Sequence, residues 1–486
     1  MGNNSKIKLS AYRLDRAIGA VLGSAAGDAL GSQYEFGPAL PDEVTPTFGR
    51  GVFGHRTAEW TDDTSMAMPL LRELADGERL DDDATLDRIV AAWRDWSLTA
   101  KDVGNQTRSV LGRLGDRPSA ADALTVSRTQ HERTGRSSGN GSLMRTGPVA
   151  LGYLDRSPAD LVAAAATVAR MTHWDNENAD ASALWCLAIR HAILTGEIDM
   201  RSQVAHLPEP RRARWAALID EALAPGAHPR DFREHNGWVV RALQGALAAV
   251  VGATGLVDAL ERAVRGGGDT DTVAAIAGAL AGATWGGTAV PLAWQRKLHG
   301  WPGLRANDLA RQAVLAVRHG APDGEGWPRA ARATGYPWSD FLFPHPHDDG
   351  VWIGSVVALD RLPHGVDAVV SLCRVGTTQV PAHCESVQVW LIDQPDRNAN
   401  LDFVLAEAAD TIAALRAEGR TVFVHCVEGR SRTSAVAALY GARHRGIPLD
   451  RAWADVRDTL PLFAPQSFLR ESVERIVARD ELAGAR

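Results

Sequence analysis

The stretch GGGDTDTVAAIAGALAGATWGG, Gly266 to Gly287, sets three glycines before an aspartate–threonine alternation and then continues almost entirely in small residues. The glycines permit a tight backbone approach, and Thr272 stands where a helix would begin. In an extended turn, residues two apart face the same way, so Asp269 and Asp271 are expected to converge. Close helix packing is the simplest account of the small residues that follow. An EF-hand reading fails, because the positions where such a loop needs an oxygen ligand, a glycine and a glutamate hold Val273, Ala274 and Leu280. Two carboxylates beside hydroxyls repel one another unless a cation sits between them. Hard oxygen ligands favour Mg²⁺, Mn²⁺ or Ca²⁺ over zinc.

A matching group lies upstream in WTDDTSMAM, where Thr61, Asp62, Asp63 and Thr64 open another helical pattern, and GSAAGDALGSQYEF adds Asp28 and Glu35. TDDT alone reads as an acidic helix cap, and DTDT alone as a cap or an ion site. The two together, with their glycine-rich approaches, favour the ion site. From Tyr12 to about Arg318 apolar residues recur at three- and four-residue spacing, as in PADLVAAAATVARM, and no strand pattern of any length appears. Ala321 to Gly350, dense in Pro, Gly and aromatics, reads as a linker or a packed connection. Beyond it, β-branched runs (GVWIGSVVAL, VDAVVSLC, VQVWLID, RTVFVHC) alternate with helical stretches, which predicts an α/β layer with a mainly parallel sheet.

The 486 residues exceed what one core usually supports, so two domains are expected. We place them at 11–320 and 338–486, joined by a linker at 321–337. A hydrophobic share of 45% and a charged share of 23% are those of a soluble globular protein, and the net charge of -7 argues against non-specific nucleic-acid binding. No apolar run reaches membrane-spanning length, and the N-terminus lacks signal-peptide character. Lys6 stands where a myristoylation signal needs Ser or Thr. The four cysteines form no C-x-x-C pair, so the cytoplasm is the expected address.

The first region resembles the ADP-ribosylglycohydrolase family, the relatives of the dinitrogenase-reductase-activating glycohydrolase. GSAAGDALG, TDDT, DVGNQT, GNGSLMR, Thr172–His173, GWVVRALQGAL and GGDTDTVAAIAGALAGATWG carry the resemblance in order and spacing. It implies an all-α orthogonal helical bundle with two Mg²⁺ (or Mn²⁺) ions in a cleft, held by Thr61, Asp62, Asp63, Asp269, Asp271 and Thr272. Glu35 would lie beside them. Hydrolysis at C1 of ADP-ribose passes through an oxocarbenium-like state helped by a carboxylate and a positioned water, and Glu35 and Asp102 are the acid–base candidates. Gly139, Asn140, Gly141 and Ser142 offer small residues and backbone amides to a diphosphate or ribose, and His173 would stack on or hydrogen-bond to the nucleotide.

A second chemistry stands in TVFVHCVEGRSRTSAVAALYG. A strand ends at His425, a loop holds Cys426, Val427, Glu428, Gly429, Arg430, Ser431 and Arg432, and a helix begins near Thr433. Loop amides and a helix N-terminus can cradle a phosphate, the same field lowers a cysteine's pKa, and Arg432 offers a bidentate fork. The pattern His-Cys-x-x-Gly-x-x-Arg-Thr resembles the dual-specificity, cysteine-dependent phosphatases. That implies attack by Cys426 on a phosphomonoester, assistance from Thr433 as the thiolate leaves, and a general acid at Asp393, with Asp396 as second choice. Glu428 puts a negative charge in the loop that Arg430 and Arg432 must outweigh.

The sequence therefore reads as a bifunctional hydrolase acting on an ADP-ribosylated substrate and on a phosphorylated protein or small molecule. No membrane partner is expected, and nucleic acid only as an ADP-ribosylated substrate. The alternative is a non-catalytic ADP-ribose-binding module joined to a phosphatase for a small phosphorylated metabolite, against which the intact set of six ligands argues.

Overall fold

The computed structural model describes residues 9–333 and 340–484. The chain forms two compact units. The first runs to Val290 and takes in Lys297–Ala321, and the second holds Pro291–Arg296 and the chain from Pro322 onward.

In the first unit the long elements are all helical. A two-residue antiparallel ladder, His299–Gly300 with Leu304–Arg305, is the one departure among the described residues. Three helices carry the acidic motifs: α1 (Ala11–Gly31), α2 (Asp62–Ala75) and α3 (Thr270–Trp285). Ser10 starts α1, its hydroxyl accepting from the Arg13 amide at 3.3 Å. Along α1, Gly19, Gly23, Gly27 and Gly31 fall on one face, close to one per turn, and that face lies on α3. A Cβ on Gly23 would sit 2.3 Å from the Gly278 oxygen, one on Gly278 2.1 Å from the Gly23 oxygen, and one on Gly31 2.5 Å from the Asp271 Cα. The two backbones are in direct contact, which only glycine allows. α3 is buried from Thr270 to Ala283, and its small residues suit a helix that neighbours cover on all sides.

The second unit is a five-stranded sheet: β1 (Leu342–His345), β2 (Asp348–Ser355), β3 (Val366–Ser371), β4 (Glu385–Gln388) and β5 (Thr421–Cys426), in spatial order β1-β2-β5-β3-β4. β1 is antiparallel to β2 and the remaining pairings are parallel. The hairpin of β1 and β2 begins inside the stretch expected to be a connection, where Pro344 is tolerated because an edge strand has one unpaired side. Upstream of it, Trp327 lies 5.8 Å from Trp390, and Arg374 sits over Trp327 while ion-pairing with Asp323. The described part of the expected linker is thus packed into the second unit. Residues 334–337 of that linker, and 338–339 at the expected domain start, lie outside the described residues.

Of the run VQVWLID only its start is strand, because β4 ends at Gln388 and Val389 to Asp393 continue as loop. β5 is buried on both faces, as a central parallel strand requires. Val422, Val424 and Cys426 join one apolar cluster with the helices Leu401–Ala417 and α4 (Arg432–Arg445), and Phe423 joins the other.

Gly278→Ala is expected to lower the melting temperature of the first unit by several degrees, since overpacking costs about 1–3 kcal/mol. Gly115→Ala, with open space around it, is the control and should shift melting by about one degree or less. Differential scanning calorimetry reads both.

Candidate functional sites

Gly267 and Gly268 take φ of +75° and +76°, the left-handed region that glycine enters without strain. The turn they make pairs with the segment bearing Glu35: the Phe36 amide donates to the Gly268 carbonyl at 2.6 Å, and the Gly268 amide to Gly37 at 2.9 Å. Asn236 fastens the same turn, donating to the Gly267 carbonyl and accepting from the Asp269 amide at 3.0 Å each. The chain then enters α3 at once. Asp269 is the residue before the helix and Asp271 lies in its first turn, so the extended turn expected from the alternation does not form. The carboxylates converge by helical geometry instead. Ligand oxygens of Glu35, Asp269 and Asp271 lie within 4.8 Å of one another, as do those of Asp28, Asp63 and Asp271.

At the start of α2, Thr61 is the N-cap position and Asp62 and Asp63 form the first turn. The Thr61 hydroxyl lies 2.8 Å from Asp28, 3.1 Å from Asp63 and 3.4 Å from Asp271. One hydroxyl proton cannot satisfy three carboxylates. Asp63 Oδ1 is buried without any hydrogen-bond partner. Asp28 differs, because it accepts from the amide and hydroxyl of Thr61 with one oxygen and from those of Thr64 with the other, at 2.6–2.9 Å. Its hydrogen-bonding capacity is spent on the N-terminus of α2, so it braces that helix against α1. The sequence reading noted Asp28 but gave it no role, since one aspartate in an alanine- and glycine-rich helix carries no local signal.

Burial first, and then mutual repulsion, pushes these carboxyls upward: Glu35 to about 9 and Asp62 to about 8, with Asp63 and Asp271 well above the usual range. Burial raises Asp28 to about 6, and lifts Asp269 and Asp102 as well. The Thr272 amide donates to Asp271 at 2.9 Å. An orphaned carboxylate oxygen, a hydroxyl shared by three carboxylates and an all-oxygen donor set together fit a hard divalent cation.

A cavity of about 410 Å³ is lined by Glu35, Asp62, Asp102, Asp269, Asp271 and Thr272 together with Gly139–Gly141 and His173. Phe36 and Phe53 stand at its mouth edge to face, 6.1 Å apart and both exposed. Phe36 has φ +61°, strained for a bulky side chain. Asp102 does not cap the helix Asn105–Leu111, whose N-cap is Gly104. Asn140 donates to Asp269 at 2.7 Å, tying the GNGS loop to the acidic group. Ser142 is fully buried and its hydroxyl accepts from Asn178 at 2.8 Å, so it holds the loop from beneath. His173 is buried under the two glycines: a Cβ on Gly141 would lie 3.1 Å from its Cε1.

In the second unit, parallel register brings Ser355 and Cys426 level, and likewise Ser371 and His425. Cys426 closes β5, α4 starts at Arg432, and the loop between them turns at Gly429, φ +66°, where a Cβ would lie 2.7 Å from both the Gly354 oxygen and Phe341. His425 is buried, bonded to Ser371 at 2.8 Å and lowered by burial to about 3, hence neutral. Arg432 is held by the Leu372 and Leu391 carbonyls at 2.7 and 3.0 Å, and its buried Nε makes no hydrogen bond but lies 3.8 Å from the Asp393 carboxylate. Asp393 accepts from Ser431 at 2.7 Å at the edge of the loop, whereas Asp396 has φ +55° and is exposed. The Thr433 hydroxyl is 3.5 Å from the Gly354 carbonyl. Glu428 and Arg430 point outward and pair at 4.0 Å, so the acidic charge faces away from the cradle.

The acidic cavity and the loop around the Cys426 thiol belong to a hydrolase. Residues 9–323 match ADP-ribosylglycohydrolase, and residues 362–474 match the dual specificity phosphatase catalytic domain. The chain belongs to the ADP-ribosylglycohydrolase family and carries a dual specificity phosphatase domain after it. Among its relatives are the ADP-ribosylarginine hydrolase Tri1 of Pseudomonas putida, 32% identical over 59% of this chain and 74% of that protein, and the ADP-ribosyl-[dinitrogen reductase] glycohydrolase of Rhodospirillum rubrum, 31% identical over 58% and 90%. A solved ADP-ribosylglycohydrolase-related protein complex is 28% identical, covering 64% of this chain and 99% of that one at a TM-score of 0.47. No described helix is long and apolar enough to cross a membrane.

Asp28→Asn keeps the shape of the brace but replaces one acceptor oxygen with a donor. In EDTA, where no cation contributes, it is expected to destabilise the first unit by about 1–3 kcal/mol, read as a lower calorimetric melting temperature.

Proposed function

We propose that the first unit removes ADP-ribose from a modified protein, nucleic acid or small molecule with the help of divalent cations, two Mg²⁺ or Mn²⁺, and that the second hydrolyses phosphomonoesters through Cys426. The observation that carries the first half is the Thr61 hydroxyl among three carboxylates with Asp63 Oδ1 unpaired. Thr61, Asp62, Asp63, Asp269, Asp271 and Thr272 would hold the cations. Bound there, the cations neutralise the carboxylates, orient ribose hydroxyls and polarise water. Glu35 and Asp102 stand on the same cavity wall, the former as the group that passes a proton to or from the atoms at C1, the latter as its partner. Gly139, Asn140 and Gly141 present a wall without side-chain bulk to the diphosphate or ribose, and Ser142 fixes that wall.

In the second unit Cys426 attacks phosphorus, the amides from Val427 to Ser431 and the Arg432 fork hold the non-bridging oxygens, and Asp393 protonates the leaving oxygen. Its substrate class is a phosphorylated protein or small molecule. A cytoplasmic address belongs to the same proposal and rests on four unpaired cysteines.

Mass spectrometry of mixed ADP-ribosylated peptides, arginine-linked ones first because of the relatives' names, tests the glycohydrolase. Free ADP-ribose is expected with Mg²⁺ and not with EDTA, and Asp63→Asn or Asp271→Asn is expected to reduce release more than 100-fold. The same variants should hydrolyse p-nitrophenyl phosphate at the parent rate, while Cys426→Ser should show the reverse pattern. Release undiminished by EDTA would overturn the metal-dependent reading.

A further inference from the structure

Arg145 is a fully buried arginine whose guanidinium lies 4.1 Å from the Trp93 ring. It donates to the Val168 carbonyl at 3.2 Å and to the Thr172 hydroxyl at 2.6 Å. Burial lowers its pKa only to about 9, so it stays a cation at neutral pH. The Thr172 hydroxyl is in turn 2.7 Å from Nδ1 of His173. All three side chains are shielded from bulk solvent.

Of the two arrangements open to the Thr172 hydroxyl, which has one proton and two lone pairs, one gives that proton an acceptor. A guanidinium has donors only, so the Thr172 oxygen must accept from Arg145. A hydroxyl carries a single proton, and among the described residues the only acceptor near it is His173 Nδ1. In that arrangement Nδ1 is the unprotonated nitrogen, and a neutral imidazole with Nδ1 bare carries its proton on Nε2. Burial drives the His173 pKa well down, which keeps the ring neutral. Nε2 lies beneath the glycine wall of the cavity: Cβ atoms on Gly139 and Gly141 would come to 3.4 and 3.2 Å from it. No protein acceptor for Nε2 exists among the described residues.

We infer that Arg145 and Thr172 are positioning residues that lock His173 in its Nε2–H form, so that the histidine offers the ADP-ribosyl ligand a fixed hydrogen-bond donor between Gly139 and Gly141. The ligand side of that bond is an acceptor oxygen. The inference rests on reading the cavity as an ADP-ribose site, but the tautomer itself does not.

Two readouts separate the relay from the site reading. In the full-length protein labelled with ¹⁵N-histidine, and with His173→Gln to assign the signal, His173 is expected to show a protonated Nε2 and a bare Nδ1. Thr172→Val, which keeps the shape and removes the hydroxyl, is expected to give a mixed or reversed tautomer, and Thr172→Ser to restore it. Calorimetric titration with free ADP-ribose is expected to show about tenfold weaker binding for Thr172→Val and parent affinity for Thr172→Ser. A protonated Nδ1 in the parent protein overturns the inference without any variant. So does a Thr172→Val protein with parent tautomer and parent affinity. If the parent protein binds no ADP-ribose, the inferred donor to that ligand is overturned together with the reading of the cavity, and the NMR result stands by itself for the tautomer.

Discussion

Backbone contact between α1 and α3 is the constraint on which the rest of the first unit depends. Gly19, Gly23, Gly27 and Gly31 face Gly282, Gly278, Ala274 and Asp271 with no room for a side chain between them. That closeness puts Asp28, on α1, within reach of both the first turn of α2 and Asp271 on α3. The acidic group is thus assembled from three separate segments by a seam that contains almost no functional groups. Burial, and after it mutual repulsion, raises these carboxyls, a cost that the packed seam carries.

The second unit solves a different problem with a different constraint. There β5 ends at Cys426 and α4 starts six residues later, which sets the thiol beside a helix N-terminus. Arg432 is pinned through two main-chain carbonyls, and its Nε, without a hydrogen bond, faces Asp393 at 3.8 Å. Both sites hold a polar atom that has no hydrogen bond in a buried place.

The fold class was legible because its signals are local: helical spacing through the first region, β-branched runs through the second, and two motifs with fixed internal spacing. Asp62, Asp63, Asp269, Asp271 and Cys426 could be picked out because they stand in clusters. Asp28, Arg145 and Thr172 could not be given their parts, because each works through residues distant in sequence, and an arginine in a motif normally reads as a surface group. The geometry at Asp269 was misread for a local reason. Alternating residues suggest extension, but two left-handed glycines had already reversed the chain, and the helix could start immediately. The hairpin of β1 and β2 was hidden by Pro344, which is compatible with a strand only at an edge.

The seam between α1 and α3 has a further consequence for motion. Glycine and alanine have no rotamers to exchange, so the floor of the cavity has no soft mode by which to answer a ligand. Outside that seam the same cavity is lined by the strained turn at Phe36, the exposed Phe53 and the loop from Asp102 to Gly104. The glycine seam has no side-chain rotamers to exchange, whereas Phe36 and Phe53, both exposed, do.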